Sequence, residues 1–423
     1  MKISVVGGGY VGLVTGTCLA ELGHTVTIID IDQEKVTAIN RGEPPIFEQD
    51  LEKLLKKNAG AGLHAETGYG SVAKADIVMI CVGTPPKPDG SADLSFVMSA
   101  GSSIGKALRG SDTYCVIAVK STVPPGTTKN VVQPAVLQAS GRTRDEVGFV
   151  MNPEFLREGR AIGDFLHPDR IVIGSSDSRA GDRVAEAYKG IRAPVVRTDL
   201  TAAEMIKYTS NAFLATKISF SNEIGNICKR LDIDVYEVMR GVGLDPRIGP
   251  LFLNAGAGFG GSCFPKDVSA LVALARSTGE DPVLLDAVLE INERQPHRMI
   301  ALLEKKIGAL TGKRVAVLGL AFKDNTDDIR DSRAIIVIRN LLERGAHVSA
   351  YDPMAAGNMR HLFPQVEYSS SAAGALTGAD GCLVMTEWPE FSALDSEFDL
   401  MAQKVIIEGR RILSCKEKEG ICW

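Results

Sequence analysis

The stretch GAGFGGSCFPKDVSALVALA, residues 256–275, sets one cysteine, Cys263, between a glycine run and what reads as the first turn of a helix. Lys266 follows three residues later. A thiol in such a setting is stabilised as a thiolate by the helix dipole and the cation, which lower its pKa from about 8.5 into a range of roughly 3.5 to 7.5. Cys18, Cys81, Cys115, Cys228 and Cys382 each fall inside an apolar strand or helix pattern and read as inert packing. Lys207 and Asn211 stand four apart in a second expected helix, so they share a face. There a cation and an amide N–H can together hold a developing oxyanion, or the pair can be an ordinary solvated face. Spacing leaves both open.

A third group of residues points to a cofactor. VGGGYVGL follows a short apolar strand and opens a helix, with Gly7, Gly9 and Gly12 at the spacing of a dinucleotide-binding turn. Gly7 permits the tight turn, Gly9 the approach of a pyrophosphate, and Gly12 close packing of helix on strand. Asp30 ends the next strand, HTVTIIDID, at about the ~20-residue distance expected of an acid that binds ribose hydroxyls. With Asp32 beside it, Asp30 repels a ribose phosphate, which favours NAD over NADP. Lys35 is the one cation nearby, and a solvated helix lysine is its plain explanation. A thiolate beside a nicotinamide suggests oxidation through a covalent intermediate.

These residues need elements to position them, and composition allows a large core. The chain has 423 residues, 45% of them hydrophobic and 23% charged, enough for two or three domains. A net charge of −5 and a pI near 5.8 give no electrostatic support for nucleic acid or a membrane surface as partner. No apolar run is long enough to span a bilayer. The N-terminal run lacks the basic region and cleavage site of a signal peptide. The eight cysteines show no CxxC or CxxH spacing, which speaks against a metal site and a disulfide framework and for a cytoplasmic location.

Apolar runs at Ile3–Val6, HTVTIIDID, ADIVMICVGTP, TYCVIAVKSTV, VGFVMNPEF and RIVIGSSD alternate with helical or glycine-rich stretches, the pattern of a doubly wound parallel sheet. From Thr201 to Leu231 the periodicity is helical, and a helical region continues to about Ile307. GKRVAVLGLAFK, AHVSAYDP and ADGCLVMTEWPEF then repeat the first strands. The expected fold is therefore α/β: two Rossmann-like doubly wound domains, residues 1–195 and 308–423, joined by a central helical domain, residues 196–307. In the second repeat only Gly319 survives of the glycine pattern, with Ala321 and Asp324 in the other places. A second dinucleotide is not expected there. Lys323, Arg330, Arg410 and Arg411 supply cations for a different phosphorylated ligand.

In order along the chain, VGGGYVGL with IIDID, ICVGTPP, VKSTVPPGT, NPEFLREG with FLHPDRIVIG, AEMIKYTSNAFLATKISFSNEIG, DPRIG, GFGGSCFPKD, GLAFKDNTDDIRDS, AYDP and TEWPEF resemble the UDP-glucose 6-dehydrogenase family of nucleotide-sugar dehydrogenases. The resemblance implies oxidation of the primary alcohol of UDP-glucose to the uronic acid with two NAD. It also implies a role for each matching residue. Cys263 matches the nucleophile that forms a thiohemiacetal and then a thioester. Lys207 and Asn211 match the oxyanion pair. Thr122, Glu154 and Asp267 match residues that position or activate water, Glu154 also serving acid–base chemistry. The cofactor set extends from the glycine loop (Gly7, Gly9, Tyr10, Val11, Gly12), Asp30 and Lys35 to Gly83, Thr84, Ser121, Thr122, Glu158, Lys266 and Arg330. Glu154, Phe155, Leu156, Lys207, Asn211, Phe252, Leu253, Asn254, Gly260, Phe322 and Lys323 match the substrate lining, and Arg247 an arginine that reaches the neighbouring subunit's substrate.

Several positions depart from the family pattern. Gln49 and Asp50 stand where proline and glycine commonly follow the glutamate, Glu408 replaces a frequent aspartate, and Arg333 lies near a frequent proline. Four-electron oxidation without a metal or flavin needs two successive hydride acceptors, and covalent capture keeps the aldehyde from escaping between them. A GDP-mannose 6-dehydrogenase would share this chemistry, whereas Ser262 argues against the N-acetylhexosamine branch. A single-hydride hydroxyacid dehydrogenase would leave Cys263 without a role, and a non-catalytic nucleotide sensor would not need the intact Cys263, Lys207, Asn211 and Asp267. The long central helix has apolar positions on more than one face, so a homodimer or higher homo-oligomer is expected.

Overall fold

The computed structural model describes all 423 residues, Met1–Trp423. Chain packing separates two compact units, Met1–Ser210 and Asn211–Trp423.

The first unit is built on eight strands: β1 Lys2–Val6, β2 Thr25–Ile29, β3 Leu63–Glu66, β4 Ile77–Ile80, β5 Cys115–Val119, β6 Val147–Met151, β7 Ile171–Ser175 and β8 Val195–Thr198. Their order in the sheet is 3-2-1-4-5-6-7-8. Every residue of β4, β5 and β6 is buried, which is why these strands read as unbroken apolar runs rather than alternating ones. Neighbouring strands are parallel except β6 and β7, which pair antiparallel through Val150 with Ser175 and Met151 with Gly174. That exception to the expected parallel sheet follows from pairing that a strand's own residues do not encode. The edge strands β3 (LHAE) and β8 (VVRT) were not among the expected runs because they carry polar residues, β8 being largely exposed.

Strand order reverses across β1 and β4, so the C-terminal ends of these strands form the switch point where ligands bind in open α/β sheets. The chain leaves β1 into Gly7–Gly9, β4 into Cys81–Thr84, β5 into Lys120–Thr122 and β6 into Asn152–Glu154. The candidate residues of this unit therefore cluster at the C-terminal ends of its central strands.

One helix, Leu200–Arg230, runs across the boundary at Ser210, within a residue of the expected span. The second unit continues with helices Val235–Gly243, Phe264–Ser277 and Val283–Ile307. A six-stranded parallel sheet follows: β9 Arg314–Leu318, β10 His347–Tyr351, β11 Glu367–Tyr368, β12 Gly381–Val384, β13 Ile406–Glu408 and β14 Glu419–Gly420, in the order 11-10-9-12-13-14. Its first four strands repeat the topology of the first sheet, as the echoing motifs require.

The repeat differs where the acidic residue after the second strand is concerned. Asp352, the counterpart of Asp30, is buried. Its Oδ2 accepts from Leu320 N at 2.6 Å, Ala321 N at 3.0 Å and Trp388 Nε1 at 3.0 Å, and its Oδ1 from Met354 N at 2.8 Å and Ala355 N at 2.7 Å. Five donors fill its lone pairs, so this carboxylate is a clasp for the loop after β9 rather than an acceptor for a ribose. Glu408 plays a comparable part, taking the N–H groups of Ile412 and Leu413. Arg333 is buried against Glu293 and the Asp331 carbonyl.

Candidate active site

The glycine loop has the shape of a phosphate cradle. Gly7 lies at φ +104°, and a Cβ there would come within 2.7 Å of the Cys81 carbonyl oxygen. A Cβ on Gly12 would stand 1.8 Å from the Gly7 carbonyl oxygen, so neither position admits a side chain. Above Gly9, by contrast, no atom lies within 4 Å. Gly9 begins the helix Tyr10–Glu21 with no side-chain cap, which leaves the first N–H groups directed at that open space. The residues thus fit a dinucleotide pyrophosphate on geometry.

Asp30 faces the same loop: its Oδ2 accepts from Gly8 N at 2.7 Å and its Oδ1 from Asp32 N at 3.0 Å. Each oxygen keeps a lone pair for a ribose hydroxyl. Asp32 caps the next helix by accepting from Glu34 and Lys35 N–H, and Lys35 lies half-buried in its first turn. The Tyr10 hydroxyl donates to buried Glu48, whose carboxylate also takes Gly159 N at 2.6 Å and Ala161 N at 2.8 Å. Burial first, and Glu48 second, push the Tyr10 phenol well up, with Glu158 adding to the shift. Val11 is half-buried beside Tyr10, and Gly83 is open. Thr84 Oγ donates to the Thr122 carbonyl at 2.9 Å and Ser121 Oγ to the Val82 carbonyl at 2.6 Å, tying the ends of β4 and β5 together.

At the end of β6, Glu154 is buried and its Oε1 lies 3.0 Å from Lys207 Nζ, itself buried on the long helix. Leu156 N donates to Glu154 Oε2 at 2.7 Å. The Phe155 ring carries the Arg170 guanidinium at 3.8 Å and Lys207 Nζ at 5.3 Å. Burial pulls the Glu154 carboxyl upward, but the Lys207 ammonium, the Leu156 N–H and the charge of Lys120 outweigh it and hold the group below the ordinary carboxylate range. The pair is therefore ionic and desolvated, a setting in which its charges act strongly on anything beside them.

In the second unit, Asn211 Nδ2 donates to Asp267 Oδ2 at 2.6 Å, and Lys266 Nζ contacts Asp267 Oδ1 at 2.5 Å. Asp267 is buried. It sits in the first turn of the helix Phe264–Ser277, its N–H bonded to the Cys263 carbonyl at 2.9 Å. Cys263 occupies the N-cap position of this helix, which has no side-chain cap. Its Sγ lies 3.6 Å from Ser262 Oγ. Of eight cysteines it alone is exposed, and no disulfide is present. Burial pushes Cys18, Cys81 and Cys115 up to about 12. Lys266, three residues after the thiol, places its ammonium on Asp267.

The remaining candidates of this unit fall into smaller groups. A Cβ on Gly260 would stand 2.3 Å from the Asp331 carbonyl oxygen and 3.2 Å from Phe322, so the glycine lets that loop close. Lys323 Nζ lies 5.9 Å from the Phe322 ring centre and donates to the Asp324 carbonyl. Phe252, at φ +63°, meets Phe264 edge-on. This backbone is strained for a bulky residue, as binding segments often are. Leu253 is buried and Asn254 exposed. Arg330 chelates Asp328, with nitrogens at 2.7 to 2.9 Å from its carboxylate. Arg247 does the same with Asp245, and its side chain stands 87% exposed. Arg410 donates to the Gly258 carbonyl and pairs with Glu387, while Arg411 pairs with Asp234. No cluster of three or more His, Cys, Asp or Glu side chains is arranged to hold a metal. No helix is long and apolar enough to cross a membrane.

Lys120 and Asn152 were not singled out in the sequence, although a lysine directly after a fully buried strand is a signal that could have found the first.

Models of the UDP-glucose/GDP-mannose dehydrogenase family match the chain in three parts: its NAD binding domain at residues 1–192, its central domain at 201–294 and its UDP binding domain at 316–415. UDP-glucose 6-dehydrogenase AglM of Haloferax volcanii is 48% identical over 99% of this chain and 98% of its own length. UDP-glucose 6-dehydrogenase TuaD of Bacillus subtilis is 46% identical over 99% of this chain and 91% of its own. The structure of a UDP-glucose dehydrogenase from the hyperthermophilic archaeon Pyrobaculum islandicum superposes with a TM-score of 0.95 at 43% identity, covering 100% of this chain and 98% of that one. With the glycine cradle, the acid that faces it and the cysteine-headed helix, these matches show that the chain belongs to the UDP-glucose/GDP-mannose dehydrogenase family.

Proposed function

We propose that this chain oxidises UDP-glucose to UDP-glucuronate with two NAD per sugar, Cys263 holding the intermediate covalently between the two oxidations. The observation that carries this reading is the exposed Cys263 at the uncapped start of a helix whose first turn also holds Lys266 and Asp267, the latter taking the Asn211 amide from the long helix. Residues 1–195 serve the cofactor, 308–423 the nucleotide sugar, and 196–307 dimerisation. NAD and nucleotide sugars are cytoplasmic metabolites, and the enzyme works there.

Bound at the glycine cradle, NAD supplies a hydride acceptor, one for each oxidation. Gly7, Gly9, Tyr10, Val11 and Gly12 hold the pyrophosphate and Asp30 the ribose, with Lys35, Gly83, Thr84, Ser121, Thr122, Glu158, Lys266 and Arg330 completing the contacts. Phe155, Leu156, Phe252, Leu253, Asn254, Gly260, Phe322 and Lys323 line the nucleotide sugar, and Arg247 reaches it from the second subunit. Glu154 takes the hydroxyl proton as the alcohol becomes an aldehyde. The Cys263 thiolate adds to the aldehyde carbon, and the carbonyl electron pair moves onto oxygen. Lys207 and Asn211 donate to that alkoxide, which the low-dielectric setting makes effective. Loss of the second hydride leaves a thioester on Cys263. Asp267 and Thr122 position a water, Glu154 takes its proton, and its oxygen adds to the thioester carbon as the C–S bond breaks. One alcohol, one water and two NAD become one carboxylate, two NADH and three protons. Product analysis with a panel of nucleotide sugars tests this: UDP-glucose is expected to give UDP-glucuronate and two NADH, and a higher kcat/KM with GDP-mannose would overturn the substrate assignment.

Asp30→Ala is expected to lower kcat/KM for NAD by about 10- to 100-fold, the worth of hydrogen bonds to a charged group, and to leave that for NADP little changed. Equal efficiency of the unmodified enzyme with the two cofactors would remove Asp30 from this role.

Phe213, Phe220 and Ile227 repeat every seven residues on the long helix and remain 63%, 49% and 51% exposed. A stripe of this kind needs a partner, and a second copy of the chain supplies one. Phe220→Asp is expected to shift the protein to monomer in analytical ultracentrifugation and to lower activity, because Arg247 then has no neighbour to reach. A wild-type monomer with full activity at assay concentration would refute the dimer.

A further inference from the structure

Lys120 follows the fully buried strand β5, and its side chain is itself buried. Its ammonium donates to the Tyr188 hydroxyl at 3.1 Å, to Asn152 Oδ1 at 3.3 Å and to the Asn152 carbonyl at 3.4 Å. The rings of Tyr188 and Phe165 flank it, with centres 5.7 and 6.0 Å away. All of these partners are neutral. A buried ammonium without a carboxylate in contact is costly, so its retention calls for a use.

The cage around Lys120 ends at the candidate base. Asn152 donates from its backbone N–H to the Val119 carbonyl at 2.8 Å and from Nδ2 to the Val172 carbonyl at 2.9 Å, and its Oδ1 accepts from the Tyr188 hydroxyl at 2.6 Å. The ends of β5 and β6, strand β7 and the end of the helix Ser178–Ala187 are thereby stitched to one amide. Two residues later the chain presents Glu154. Two side chains act on that carboxylate from different elements: Lys207 from the long helix and Lys120 from the end of β5. The Cys81 thiol, at the end of β4, feels the Glu154 charge in turn, and burial first of all keeps it protonated.

We propose that Lys120 is a positioning residue for Glu154, a buried cation that fixes the exit from β6 and keeps the carboxylate ionised in concert with Lys207. The proposal rests on the reading of Glu154 as the base. Lys207 also donates to the reacting oxyanion in that reading, and its charge on Glu154 is shared as the alkoxide forms. Lys120, locked among neutral acceptors, supplies a charge that does not change during turnover.

The test uses full-length enzyme and two readouts. Glu154 titration is read from the carboxyl infrared band that Glu154→Gln removes, and the acidic limb of kcat/KM is recorded alongside. Removing a cation raises the pKa of a carboxyl, so in Lys120→Met both the titration and the limb should move up by about one pH unit. Lys120→Arg should restore them. Asn152→Asp keeps the lysine but neutralises it, and should also move both upward. This second variant serves if Lys120→Met does not fold. An unmoved Glu154 titration in the folded variants overturns the proposal, even if they are less stable or less active. A Glu154→Gln enzyme that keeps its acidic limb instead removes the assignment of Glu154 as base, whatever the infrared titration shows.

Discussion

Cys263→Ala is expected to abolish steady-state formation of the sugar acid, with turnover down by about 10⁴-fold or more, the scale on which loss of a covalent nucleophile acts. The residue is exposed and caps its helix with no side-chain hydrogen bond, so the fold should survive its loss. Binding of NAD and of the nucleotide sugar should survive as well, because neither the glycine cradle nor the cations of the C-terminal unit are touched. Acid quenching of the intact enzyme during turnover should reveal sugar attached to the peptide containing Cys263. Normal turnover of the alanine variant, with two NADH per acid, would make the thiol a bystander and end the thioester mechanism.

Lys207→Met should produce the second largest loss, about 10²- to 10³-fold in kcat, as expected when a donor to a developing oxyanion is removed. It should also destabilise the protein by about 3–5 kcal/mol, since Glu154 is then a buried carboxylate without its partner. The two effects separate in the double variant. Adding Glu154→Gln should recover a good part of the stability in denaturant titration and none of the activity. The sign with pH follows from the depressed pKa of Glu154: the pair contributes stability above the ordinary carboxylate range and loses it as pH falls through the lowered folded-state value. In Lys207→Met that loss should begin at higher pH. A Lys207→Met enzyme as stable as the wild type, with the same acid limb, would show that the pair is neither ionic nor catalytic.

Local sequence carried the cofactor half of the site. A buried strand, three glycines and an acid about 20 residues on are all short-range features, and each has a single steric or electrostatic reason to be there. The structure returned those reasons as a Cβ clash at Gly7 and Gly12, open space at Gly9, and an Asp30 oxygen on Gly8 N. The long helix and the repeated sheet were legible for a similar reason, because periodicity and echoing motifs are properties of the chain itself.

What sequence could not decide was which polar groups are taken out of water, and by whom. Lys207 and Asn211 could equally have been a solvated helix face. They are buried because their partners, Glu154 and Asp267, come from distant stretches of chain, 56 residues away in the case of Asn211 and Asp267. Asp352 stands where the repeat puts the counterpart of Asp30 and is a clasp, because the side chain of Trp388 and four backbone N–H groups converge on it. Composition, period and motif order determined the family and the cofactor, and singled out Cys263 as the candidate nucleophile. Charge state and hydrogen-bond commitment depend on burial and on contacts between segments remote in sequence, and those exist only once the tertiary structure has formed.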